Sequence, residues 1–110
     1  MDKDTLHYDG IDYTIYYPSK SEEAIDSQED LDDIFDEYRG SILNIQFDIG
    51  DCDSKILKIT GRVLQCYQRD CGYVHLICAK NDHQVIPFNI IRRIADENNT
   101  ELYKQKQRKN

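Results

Sequence analysis

"NDHQVIPFNIIRRIADE", residues 81–97, is the stretch on which the fold turns. It is apolar and β-branched enough for a strand, yet Pro87 stands in its middle. Proline has no N–H to give a ladder and belongs at edges, bulges or breaks. The stretch therefore divides. HQVIPF is a strand ending at Pro87, PFN is a tight turn of 3₁₀ type, and NIIRRI is a brief last strand. The missing donor costs nothing where the ladder breaks, and Phe88 can drop into the core. Two nearly collinear strands joined by one such turn form the corner of a small barrel.

Upstream, the pattern stays β. Residues 42–47 (ILNIQF) form a strand closed by Ile49-Gly50, and DCDS (51–54) is a loop. KILKITGRVLQCYQ (55–68) is a long strand, and Gly61 inside it lets the strand bend to serve both sides of a barrel. GYVHLICAKN (72–81) alternates with period two, and Asn81-Asp82 turns the chain. Ahead of these strands, Leu31, Ile34, Phe35 and Tyr38 recur at i, i+3, i+4 and i+7, which predicts a helix over about 28–38. Ser21 or Ser27 can cap it, and Gly40 stops it. Further forward, LHYDGIDYTIYY (6–17) reads as a hairpin turning on Asp9-Gly10, a pair suited to a type I′ turn.

The expected fold is mainly β (α+β): a small five-stranded Sm/SH3-like barrel preceded by a hairpin and a short acidic helix. Its parts are a hairpin at 1–20, an acidic helix or arm at 21–40, the barrel at 41–97, and a polar, basic tail at 98–110 in which a short helix fits.

The residues ITGRVLQCYQ, YVHLICAKND and HQVIPFNIIRRI together resemble the YolD-like group, small proteins of low-GC Gram-positive bacteria and their phages. That group has a strand with a G-x-I/V step, a strand of alternating apolar residues, and a closing I-P-F-x-x-I-x-x-I segment. Here the closing segment is Ile86-Pro87-Phe88, then Ile91 and Ile94. The resemblance spans roughly residues 40–95. The group's Trp-containing front end is missing, since the chain has no Trp, and Asn89 stands where an acidic residue is common. The resemblance implies no catalytic residues. It implies a setting near DNA-damage and translesion-polymerase genes or on mobile elements. The Sm pattern of RNA recognition is broken by Pro87-Phe88, where an Arg/Lys-Gly pair is expected.

The chain has 110 residues, room for one modest core. No apolar run reaches the roughly 20 residues a spanning helix needs. The start, MDKDTLHYDG, has no basic segment followed by an apolar one, so a cytoplasmic location is expected. Cys52, Cys66, Cys71 and Cys78 are separated by 13, 4 and 6 residues. Only Cys66 and Cys71 approach zinc-ligand spacing, with His75 and His83 as further candidates. Reduced thiols with no metal or other cofactor are expected. Asp48, Asp51 and Asp53 lack the Gly and distal Glu of a calcium loop. No phosphate-binding Gly-rich loop, G-x-S-x-G or H-E-x-x-H is present, and His75 and Cys78 fall on opposite faces of a strand. A non-enzyme is expected.

Charge is divided unevenly. Residues 1–40 hold 13 acids and 3 bases (−10), and residues 41–110 hold 8 acids and 11 bases (+3), giving the net −7. Nine acids and no base fall between Glu22 and Glu37. Such a segment can be a solvated helix face, a cover for the barrel's own basic residues, or a mimic of DNA. The third reading makes the protein an accessory or inhibitor of a basic, host nucleic-acid-processing protein, phage- or mobile-element-encoded. Glu29, Asp30, Asp32, Asp33, Asp36 and Glu37 would then form the protein-binding surface. Eight tyrosines suit an interface. The alternative is a nucleic-acid-binding barrel in DNA damage tolerance, using Arg62, Arg92 and Arg93, with Arg69, Lys80 and the tail residues Lys104, Lys106, Arg108 and Lys109 as further bases.

Overall fold

The computed structural model describes residues 3–18, 28–50, 54–68 and 72–105. Cys52, Cys71, Asp51, Asp53, Arg69, Ser21, Ser27 and the bases beyond Gln105 fall outside the described residues. Among the described residues the protein is mainly β with one α-helix. Its strands are β1 (Lys3–Tyr8), β2 (Ile11–Tyr16), β3 (Ile42–Asp48), β4 (Ile56–Tyr67), β5 (Tyr73–Cys78), β6 (Asp82–Pro87), β7 (Ile91–Asp96) and β8 (Glu101–Lys104), with α1 (Gln28–Glu37) between β2 and β3. Among the described residues no helix is long and apolar enough to cross a membrane.

All eight strands lie in one sheet, in the order β1-β2-β6-β5-β4-β3-β7-β8. Its two edges do not pair with each other, so the sheet as a whole is open, with eight strands where five are expected. The five expected strands are its centre, and additions on both flanks explain the difference. The front hairpin pairs along β6, with β2 running parallel to it. Residues 101–104, where a short helix was expected, pair antiparallel with β7. Asp96 turns that last corner by accepting the Asn98 and Thr100 amides at 3.0 and 2.8 Å, and Asn99 takes φ +63°.

The sheet is strongly curled. Flat, the five strands from β6 to β7 would be about 19 Å wide, from spacings of about 4.8 Å. Yet β6 and β7 are joined only by the 3₁₀ turn Phe88–Ile90. The four Cα steps from Pro87 to Ile91 span at most roughly 14 Å, so the flat arrangement is impossible. A ring contact records the same curl: Tyr16 of β2 meets Phe47 of β3 edge-on at 4.7 Å, although three strands separate them in the ladder. The concave side holds the core, including Leu43, Ile45, Phe47, Val74, Leu76, Ile86, Ile91 and Ile94, all fully buried.

Pro87 ends β6 as the sequence predicts, and Phe88 behind it is 2 % exposed. The Phe88 amide donates to the Gly72 carbonyl at 2.9 Å, fastening the corner to the start of β5. Gly72 has φ +83°, and a Cβ there would lie 2.5 Å from Phe88 Cδ2. Gly61 permits another close approach, because a Cβ would lie 2.9 Å from Cys78 Sγ and 3.2 Å from the Ile77 carbonyl oxygen. The turn after β5 falls one residue earlier than expected, with Lys80 and Asn81 both at positive φ.

Candidate functional site: an acidic helix face and a basic cleft

Helix α1 is anchored by its apolar stripe. Leu31 and Phe35 are fully buried, Phe35 lies 5.5 Å from the Phe88 ring, and Ile34 and Tyr38 pack at the margin. Burying side chains of this size contributes about 1.5–3 kcal/mol each. At about 100° per residue, Ile34, Tyr38, Leu31 and Phe35 cover one continuous sector. Asp32, Asp36, Glu29, Asp33, Glu37 and Asp30 follow one another around the rest. Five of these six acids are exposed, and Asp32 is half-buried. Asp36 is paired with Arg39 at 2.9 Å. The helix itself contains no base. The structure thus brings the six predicted acids onto one presented face, with Asp32 least available.

The helix ends where two cations gather. Gly40 has φ +84° and donates its N–H to the Val63 carbonyl at 2.8 Å. Arg62 donates to the Gly40 carbonyl at 2.5 Å, and Arg39 stands one residue before Gly40. Positive charge at a helix C-terminus complements its dipole. Arg62 is therefore engaged in closing this helix.

Arg92 and Arg93 lie elsewhere. Arg93 is opposite Gln46 on β3, whereas Arg62 is opposite Ile42, four residues and roughly 13 Å further along that strand. The three predicted arginines do not form one patch. Arg92 and Arg93 instead line a cleft of about 1050 Å³ with Lys104, Gln46, Asp48 and Ile56. Lys104 was visible in sequence only as part of the tail, and its place beside the two arginines follows from β8 pairing with β7.

On the convex side, His75 and His83 are buried and hydrogen-bonded to each other, Nε2 to Nδ1, at 2.8 Å. Tyr13 covers them at 6.2 and 5.1 Å between ring centroids, and the Tyr67 hydroxyl lies 3.4 Å from His75 Nδ1. Burial, then the charge of His83, holds His75 below the ordinary imidazole pKa. A two-residue turn at Asn81-Asp82 would set His83 on the Cys78 face; the observed register, Cys78 opposite Asp82, instead places it diagonally across from His75 on the same face. Cys78 occupies the opposite face, where burial and Asp82 raise its pKa. Cys66 is pushed up to about 12, by burial first and then by Asp32. Cys66 and Cys78, the free cysteines among the described residues, are thus held as thiols, the form that is neither nucleophile nor metal ligand.

No protein-family model, curated protein or solved structure matches the chain.

Proposed function

We propose that the protein is a non-enzymatic binding module that presents the acidic face of α1 to a basic surface of a nucleic-acid-processing protein, as accessory or inhibitor. One observation carries this reading: exposed carboxylates fill an arc of about 120°, a third of the helix, on a helix pinned by two fully buried side chains. A helix needing only solubility would gain from interspersed lysines, because like charges at i, i+4 cost a few tenths of a kcal/mol per pair. A held, negative surface steers a basic partner and aligns with it on docking. The central five strands fit a small barrel of Sm or SH3 type, supported by their order and by the three-residue link between β6 and β7. The YolD-like resemblance adds the setting: the cytoplasm of a bacterial host, on a phage or mobile element, near DNA repair. Affinity capture from a Gram-positive lysate, with and without nuclease, tests the function. The reading expects a basic protein retained after nuclease treatment, and loss of all captured material with the nucleic acid refutes it.

A further inference from the structure

The cleft between β3, the start of β4, β7 and β8 has a cationic wall and a built opposite wall. Arg92, Arg93 and Lys104 supply the first. Arg93 Nε donates to Glu101 at 2.9 Å, and one terminal nitrogen of Arg92 donates to the Asn89 carbonyl at 3.1 Å. These bonds orient the two side chains and use one donor from each guanidinium. A guanidinium carries five N–H donors, so both retain others. Lys104 pairs with no carboxylate among the described residues. Adjacent strands β7 and β8 hold the cations together, since Arg93 is directly opposite Lys104.

Asp48 also lines the cleft and keeps its negative charge beside Arg92, but its oxygens are engaged in the turn, and Arg92, Arg93 and Lys104 outnumber Asp48 and Glu101 by one charge. Oδ1 accepts the Gly50 and Lys55 amides at 3.0 and 2.8 Å, and Oδ2 accepts the Ser54 hydroxyl at 2.9 Å. Asp48 thus pins the β3–β4 turn as one wall of the cleft, with exposed Ile56 as an apolar surface beside it. Two arginines and a lysine match phosphate: the guanidinium forks bind its oxygens in pairs, and the ammonium adds a point charge. The volume, about 1050 Å³, admits a nucleotide-sized group.

We propose that this cleft is a phosphate-ester site, taking a nucleotide or the backbone of single-stranded nucleic acid against Arg92, Arg93 and Lys104. It is independent of the protein-binding reading of α1, which meets β4 near Cys66, ten residues beyond Ile56. The site excludes Arg62, which closes the helix.

The test uses the full chain, labelled with ¹⁵N, titrated with inorganic phosphate, with adenosine monophosphate, and with a twelve-residue oligothymidine. Saturable shifts at Gln46, Ile56, Arg93 and Lys104 are expected in at least one arm. Equal affinity for mononucleotide and oligomer identifies a nucleotide site, and binding of the oligomer alone identifies a backbone site. Exposed Lys104→Glu should weaken binding at least about tenfold, while Arg62→Gln leaves it within about twofold. In the backbone case Lys104→Gln should also lower the salt slope by about 0.7, one single-strand phosphate contact. Absence of saturable binding in all three arms overturns the proposal. Equal losses from Lys104→Glu and Arg62→Gln, or shifts confined to other faces, overturn it too.

Discussion

The corner at Pro87 predicts an energetic coupling between two residues sixteen apart in sequence, Gly72 and Phe88. Phe88→Ala removes a ring that is 2 % exposed and packed against Phe35. Truncation of such a ring costs about 3–5 kcal/mol. A chain of this length has a total stability of roughly 5–16 kcal/mol, at about 0.05–0.15 kcal/mol per residue, so the loss is large but survivable. Gly72→Ala meets two penalties. The backbone at φ +83° disfavours a Cβ by about 1–2 kcal/mol, and the new methyl would stand 2.5 Å from Phe88 Cδ2, an overpacking worth about 1–3 kcal/mol. Only the second penalty depends on the ring. In a Phe88→Ala background Gly72→Ala should therefore cost about 1–3 kcal/mol less than in the native protein. Urea denaturation followed by far-UV circular dichroism measures all four corners of this cycle, the chain having no Trp to report by fluorescence. If Gly72→Ala costs the same with and without the ring, Phe88 does not pack on Gly72 and the corner is wrongly placed.

Three further outcomes follow from the same geometry. Gly61→Ala should destabilise by about 1–3 kcal/mol, because its methyl would strike Cys78 Sγ and the Ile77 carbonyl at 2.9 and 3.2 Å; an unchanged urea midpoint would show that β4 and β5 do not approach there. His75 is held below its ordinary pKa by burial and His83, so the unfolded chain takes the proton first as pH falls below about 6.5. Its contribution is complete above that pH and is lost as pH falls through the depressed folded value, so His75→Phe should flatten the decline in stability between pH 7 and 5; an unaltered slope would contradict the burial of the ring. Asp33→Lys relieves i, i+4 repulsion with Glu29 and Glu37 and should raise the urea-derived stability by a few tenths of a kcal/mol, whereas a large loss would place Asp33 in a packed environment rather than on the outer face.

Local chemistry made much of the fold legible. Proline's missing donor located the β6–β7 corner, the Leu31/Ile34/Phe35/Tyr38 spacing located α1, and Asp9-Gly10, observed at φ +53° and +78°, located the first turn. What escaped was long-range pairing. Nothing local to Ile11–Tyr16 says that it will run parallel to β6, about seventy residues away, because parallel ladders need no turn signal between their strands. The β7–β8 turn did carry a signal in Asp96 and Asn99, two residue types that favour turns, but the polar segment after it masked the strand. The acidic face was readable because six carboxylates obey a helical period. The basic cleft was not, because Lys104 joins Arg92 and Arg93 only through the missed strand β8.

The central claim, that the outer face of α1 is a docking surface, is tested most directly by reversing its charge while leaving its core alone. Asp30, Asp33 and Glu37 are exposed and fall within about 60° of one another around the helix. The triple substitution to Lys spares half-buried Asp32 and the Asp36–Arg39 pair. Capture of the basic protein partner is measured for wild type and variant after nuclease treatment, with thermal melting of both as the control for folding. The account predicts a variant that melts within a few degrees of wild type and has lost the partner, and wild-type capture that weakens as salt rises. A folded triple variant that still retains the partner would contradict it.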